Sequence, residues 1–224
     1  MAFMPSSFAD NHSIKAKSWL VTDSTGSVQT GSNYEEQRSI ASITKLMTVM
    51  AVLDHGQNLA EKLGKYTREQ LIKLSLIKSD NWATDVLCNS MPGGRSACVK
   101  YMNEKAGKLG MQNTKFIEPT GLSPMNISTA TDLIKLVKEA SHYPQIVEAS
   151  GTAKYPLVEN KKTTTVYNTN KLVGSGRELL VSKTGTTNAA GQCVVMMDAD
   201  GRVYILLGMQ PGRRLLESKE IVTM

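Results

Sequence analysis

The chain has 224 residues, 41% hydrophobic and 21% charged, with 26 Lys and Arg against 20 Asp and Glu for a net charge of +6. A chain of this length buries a sizeable core without staples, the composition is that of an ordinary soluble globular protein, and no apolar stretch approaches the length of a membrane-spanning helix. A basic surface suits a polyanion, but the Lys and Arg residues are scattered and the few aromatics do not interleave with them, so no nucleic-acid partner is expected.

The N-terminus, Met1-Ala-Phe-Met-Pro-Ser-Ser7, has no basic n-region, apolar h-region or cleavage site, so it does not read as a signal peptide. Residues 1–17 are read as an N-terminal extension. Ser18–Thr22 and the run from Ser27 to Gly31 are β-like and flank Asp23-Ser-Thr-Gly26, the pattern of a hairpin. The segment from Ser39 to His55 is apolar nearly all round from Leu46 to Leu53, which predicts a helix buried on every side, stopped at Gly56. Helical patterns follow over Thr67–Leu76 and Trp82–Leu87, with Lys78-Ser-Asp-Asn81 between them, and over Arg95–Leu109. Glu118-Pro-Thr-Gly-Leu-Ser-Pro124 is rich in turn residues, and Ser128-Thr-Ala-Thr-Asp132 opens a helix running to about Ser141. The period then changes. Glu178–Lys183, Gly191–Met197 and Arg202–Gly208 are β-like, Asp198-Ala-Asp-Gly201 is a hairpin turn signal, and Arg213–Val222 reads as a closing helix.

Strands at both ends with helices between predict an α/β fold: one antiparallel sheet formed by the N- and C-terminal strands, with an inserted helical lobe packed on it. No repeat, low-complexity tract or linker interrupts residues 1–224, which are expected to form a single domain. Cys88, Cys98 and Cys193 match neither a disulfide framework nor a zinc site. Cys193 reads as a small core residue, and Cys88 and Cys98 are expected to be ordinary buried thiols, although a bond between them is open. His12, His55 and His142 are far apart and need no catalytic role.

Three short patterns carry chemistry: Ser42-Ile-Thr-Lys45 at the start of the buried helix, Ser79-Asp-Asn81 between two helices, and Lys183-Thr-Gly185 at a strand end. Each alone is weak, since Ser42 taken singly is an N-cap serine, Ser79 a turn residue and Lys183 a strand end. Their order and setting make the set specific; they are the S-x-x-K, S-D-N and K-T-G elements of penicillin-binding proteins and class A β-lactamases. Residues three apart on a helix share a face, so the Lys45 amine can reach the Ser42 hydroxyl. A serine becomes a good nucleophile when a neighbouring base takes its proton. Burial and a second cation, for which Lys183 is placed, lower a lysine's pKa enough to make it that base. The helix N-terminus favours negative charge at Ser42, and a backbone N–H there supplies half of an oxyanion hole.

On these motifs, and on Phe116-Ile-Glu-Pro-Thr-Gly-Leu-Ser123, Asn168-Thr-Asn170 and the segment from Lys183 to Gly191, the chain resembles the low-molecular-mass penicillin-binding proteins, the D-alanyl-D-alanine carboxypeptidases and endopeptidases. The likeness covers roughly Ser18–Met209, and Met91-Pro-Gly-Gly94 leans to the endopeptidase branch. The resemblance implies a β-lactamase/transpeptidase-like fold and a serine DD-peptidase cutting D-alanyl bonds of peptidoglycan stem peptides. It implies that Ser42 is acylated with Lys45 as base, that Ser79 relays a proton to the leaving amine, and that Asn81 holds the substrate amide. It implies that Lys183 and Thr184, with Gly185 beside them, bind the carboxylate next to the scissile bond, and that the Thr186 N–H completes the oxyanion hole. It implies β-lactams as inhibitors, no metal or organic cofactor, and work outside the cytoplasm. The N-terminus fits a mature form or a phage-borne protein, and no membrane anchor is expected, a departure from many carboxypeptidases of that family. The stretch between Leu63 and Thr67 is shorter than usual in that family. Two other readings compete: a class A-like β-lactamase, for which Glu118 is the tempting but poorly matched water-activating residue, and an inactive wall-binding or virion protein, against which the intact Ser42, Lys45, Ser79, Asn81 and Lys183 argue.

Overall fold

The computed structural model describes residues 14–159 and 162–224; most of the expected N-terminal extension, and His12 with it, lies outside them. The chain opens on the hairpin β1 (Ser18–Thr22) and β2 (Val28–Ser32). Its turn is organised by the Asp23 carboxylate, which accepts from the backbone N–H groups of Thr25, Gly26 and Ser27 at 2.9–3.0 Å. A short strand β3 (Arg38–Ser39) leads into a 3₁₀ turn, Ala41–Ile43, and helix α1 (Thr44–Asp54). Every residue from Thr44 to Val52 is buried, as its all-round apolar pattern requires.

The small hairpin β4 (Lys62–Leu63) and β5 (Tyr66–Thr67) ends at Thr67, which caps α2 (Arg68–Lys73) in a reciprocal capping box with Gln70. The helix expected to run to Leu76 is α-helical only to Lys73; it widens into a π turn over Leu74–Lys78, and Ser79 closes that turn in the left-handed conformation at φ 62°. Asp80 then caps α3 (Asn81–Asn89), accepting from the Ala83 N–H at 2.9 Å. Helix α4 (Gly94–Lys108) buries Cys98, Met102 and Ala106, one turn apart. Strand β6 (Ile127–Ser128) pairs with β3, and α5 (Ala130–Ala140) follows.

The two-residue strands β3 to β6 were not anticipated, nor were helix α6 (Pro144–Gly151) and the hairpin β7 (Lys154–Glu159) with β8 (Lys162–Tyr167). The chain ends in β9 (Leu179–Thr187), β10 (Gly191–Asp198), β11 (Val203–Met209) and α7 (Arg214–Ile221). The main sheet has the order β2-β1-β11-β10-β9, every pair antiparallel. Strands from both ends of the sequence therefore share one sheet, with the helices inserted between them.

The alternation of a strand sorts the sheet's side chains into two cores. Leu20, Val195, Ile205 and Leu207 face the helical lobe, while Val21, Met196, Tyr204 and Leu206 face the opposite side under α7. Ile14 and Ala16 belong to that second core, so the described end of the N-terminal extension is docked, its Lys15 and Ala16 N–H groups donating to the buried Glu217 carboxylate at 3.0 and 2.8 Å.

The expectation of free thiols at Cys88 and Cys98 is corrected: the two form a disulfide. Their sequence spacing carries no hint of it, but α3 and α4 pack side by side and bring the Cα atoms to 5.6 Å, inside the range a disulfide spans. Cys193 is a buried free thiol whose pKa burial pushes up to about 11, so it is inert core packing.

Candidate active site

The three motifs converge from three elements on one groove. Ser42 sits in the 3₁₀ turn ahead of α1 rather than in the helix itself. The turn runs straight into α1, whose first turn puts Lys45 three residues on and on the same face: the Lys45 Nζ donates to Ser42 Oγ at 2.8 Å. Ser42 makes no side-chain capping bond, so its hydroxyl is not occupied as an N-cap. The amine also donates to Asn81 Oδ1 at 2.7 Å and to the Thr120 carbonyl at 2.6 Å. A charged amine has three hydrogens for these three acceptors. Thr120 O and Asn81 Oδ1 can only accept, so an amine that loses one proton keeps its two hydrogens for them and turns its lone pair toward Ser42.

Burial pulls the pKa of Lys45 down to about 8, against the opposing pull of Glu118, Asp80 and Asp85. Lys183, on β9, is buried as well and its pKa lies well below the ordinary value, first through desolvation and then through the charges of Lys45 and Arg214. Its Nζ donates to Ser79 Oγ at 2.8 Å and to the Thr184 carbonyl at 2.7 Å. The left-handed Ser79 turns its hydroxyl to β9, while Asn81, two residues on, reaches Lys45. Thr184 Oγ1 donates to Thr169 Oγ1 at 2.6 Å, and Thr186 is exposed.

Two glycines allow the backbone to close on Ser42. A Cβ on Gly185 would come within 2.8 Å of the Ser42 nitrogen, and one on Gly121, at φ 85°, within 2.0 Å of the Ala41 carbonyl oxygen. Ala41 itself is left-handed at φ 47°, a strained conformation for a residue with a side chain. The turn bearing Ser42 is thus pinned between β9 and the loop at Gly121. All eight residues singled out from the sequence, Ser42, Lys45, Ser79, Asn81, Lys183, Thr184, Gly185 and Thr186, lie on this groove or on the strand that borders it.

Sequence reasoning missed Arg214. Its guanidinium Nη1 donates to Thr186 Oγ1 at 3.0 Å and stands 3.3 Å from the Gly185 carbonyl, so a third cation stands at the end of β9 beside the two lysines. No motif marks it, because α7 reaches β9 only through the fold. Glu118 has a different place from the one a water-activating residue needs. Its Oε2 accepts from the Thr120 N–H and hydroxyl at 2.7 and 2.6 Å, and its Oε1 from the Gly121 N–H at 2.7 Å and the Asn126 amide at 3.0 Å. Burial works against its charge, but these bonds outweigh burial and keep its pKa below the ordinary value. Glu118 is the organiser of the loop that carries the Thr120 carbonyl to Lys45.

Among the described residues no group of three or more His, Cys, Asp or Glu could hold a metal ion, and no helix is long and apolar enough to cross a membrane. The arrangement is suited to nucleophilic attack by a serine on a substrate that carries negative charge near Lys183, Thr184 and Arg214.

Comparison with known proteins agrees with this geometry. The family described as D-alanyl-D-alanine carboxypeptidase matches residues 5–63 and 54–208. A D-alanyl-D-alanine endopeptidase of Escherichia coli is 43% identical over 182 residues, which is 71% of this chain and 59% of the relative. One from Pseudomonas aeruginosa is 39% identical over 201 residues, 79% of this chain and 65% of the relative. The chain thus spans less than two thirds of the length of either. Among solved structures, a penicillin-binding protein from Listeria monocytogenes with ampicillin bound superposes with a TM-score of 0.83 at 26% identity, covering 95% of this chain and 97% of that one. A mutant of a Streptomyces DD-transpeptidase reaches 0.87 at 24% identity, covering 95% and 98%, a likeness of fold.

Proposed function

This chain belongs to the D-alanyl-D-alanine carboxypeptidase family, and from that premise we propose that it is a serine DD-peptidase that hydrolyses D-alanyl bonds of peptidoglycan stem peptides through an acyl-enzyme on Ser42. The carrying observation is the Lys45 amine, buried, depressed to about 8 and 2.8 Å from Ser42 Oγ. Neutral Lys45 takes the Ser42 proton as Oγ attacks the carbonyl carbon. The oxygen of the tetrahedral intermediate is held by the backbone N–H groups of Ser42 and Thr186. As the C–N bond breaks, Ser79 relays the proton from the lysine pair to the leaving amine, and water then hydrolyses the ester. Asn81 holds the substrate amide, and Lys183, Thr184 and Arg214 hold the carboxylate beside the scissile bond.

The same serine takes β-lactams, as the ampicillin-bound relative does. The β-lactamase reading is disfavoured because both oxygens of Glu118 are committed to their own loop. The Cys88–Cys98 disulfide accords with work outside the cytoplasm, where such bonds persist. The test is covalent labelling with a fluorescent penicillin. Wild type is expected to label and Ser42→Ala to label not at all; label retained by the Ala variant would overturn the assignment.

A further inference from the structure

The proposed reaction occupies the groove between β9 and the Ser79 turn. A second cleft, a cavity of about 400 Å³, opens on the flank of that same turn and has no part in it. Its floor is apolar, formed by the nearly buried Leu74, Leu157 and Val166. One wall is Trp82, 50% exposed and edge-on to the Tyr66 ring at 6.1 Å. A large apolar side chain left half in water, one residue after Asn81, adds little to the core and much to a binding surface.

The rim carries both signs of charge. Lys65 and the Tyr66 hydroxyl each lie 2.9 Å from the Glu159 carboxylate, and Lys78 stands 3.7 Å from Asp80. Lys65, Lys78 and Glu159 are substantially solvent-exposed, so these ion pairs contribute little to the fold and are free to exchange partners. Lys78 and Asp80 flank Ser79, whose hydroxyl accepts from Lys183 in the reaction groove, so the cleft and the groove share one turn of chain.

We propose that this cleft is a second subsite for the stem peptide, which holds the side chain of its diamino acid. That side chain is an aliphatic run ending in a carbon that bears an ammonium and a carboxylate. It is the same carbon whose amine becomes the leaving group once a cross-link has formed, and it is a free zwitterion on every stem not linked through it. The methylenes lie on the apolar floor under Trp82, the ammonium meets Glu159 and Asp80, and the carboxylate meets Lys65 and Lys78. A ligand of one sign only would leave half of the rim unanswered. The inference rests on the DD-peptidase reading.

Three substrates test it: a short acyl-D-Ala-D-Ala, a stem pentapeptide with the free zwitterionic side chain, and the same pentapeptide acetylated on the side-chain amine. Wild type is expected to cleave the free pentapeptide with kcat/KM at least about tenfold above either other substrate, the size of effect one well-filled pocket gives. Trp82→Ala and, separately, Lys65→Glu are expected to reduce that preference to about twofold or less, and penicillin labelling of Ser42 reports whether each variant is folded. Equal cleavage of all three peptides by wild type, or a preference that survives in both variants, would overturn the subsite while leaving the DD-peptidase reading intact. Absence of both labelling and cleavage would reject the two together.

Discussion

Lys45 gives up its ammonium proton with a pKa of about 8 where an ordinary lysine has 10.5, because it is buried. As a base it works only when neutral. Acylation by penicillin is therefore expected to rise about tenfold per pH unit below about 8 and to level off above it, measured as a second-order labelling rate. Lys45→Arg, which keeps the charge and cannot give up the proton, should lose at least about a thousandfold. The same shift acts on stability. Since the folded pKa lies below the unfolded one, the unfolded chain binds more protons between about 8 and 10.5, and stability rises with pH through that window. The urea midpoint of wild type should gain on that of Lys45→Met across the same range. Glu118 is the largest of the charges that raise Lys45. Glu118→Gln should move the rising limb of the acylation profile to lower pH, and weakening the loop's bonds should cost about 1–3 kcal/mol. Release of penicilloyl label should stay slow in both proteins. Fast wild-type release that collapses in the variant would instead mark a β-lactamase. Ser42, Lys45 and the residues of the other two motifs were legible as one set because each motif is short and its spacing is set by one turn of chain. Arg214 was not, since its partners Gly185 and Thr186 lie 29 and 28 positions away and only the packing of α7 joins them.

At the scale of elements, legibility followed the strength of the hydrophobic period. Helix α1 and the strands β9, β10 and β11 are saturated with buried apolar residues and were placed within a few positions. Hairpin β7–β8 was missed because it buries only Leu157 and Val166 and leaves Val158 and Tyr167 exposed among its Lys, Thr and Glu residues, so no clean alternation marks it. Helix α6 is short, yet Pro144 at its first turn was a usable signal. The disulfide joins α3, which begins at Asn81, to α4 across a loop of ten positions. Closing a loop of that size removes unfolded-state freedom worth about 2.5–3 kcal/mol. The double variant Cys88→Ser, Cys98→Ser should therefore lose about that much in denaturant unfolding. An unchanged midpoint would show that the helices need no tie.

At the scale of the whole molecule, the first described segment is tied to the last helix. Glu217 of α7 is fully buried and receives the Lys15 and Ala16 amides, which seals the N-terminal segment onto the far side of the sheet. Glu217→Ala leaves those donors without their acceptor and should cost about 2–4 kcal/mol, read as a fall in Tm. That the two ends share a sheet was legible from strands placed first and last; that β1 sits inside it, between β2 and β11, was not, because strand order depends on long-range pairing. This order bears on how the protein comes into being. Val21 is laddered to Tyr204 and Trp19 to Leu206, so the first strand made must wait for the last. Ser42 leaves the ribosome long before Lys183, and the strand that carries Lys183 is itself held by β10. In a growing chain the complete sheet, with Ser42 and Lys183 brought to one place, accordingly comes last. Non-local pairing of this kind also delays folding, so the sheet closes only once the last strand has been made.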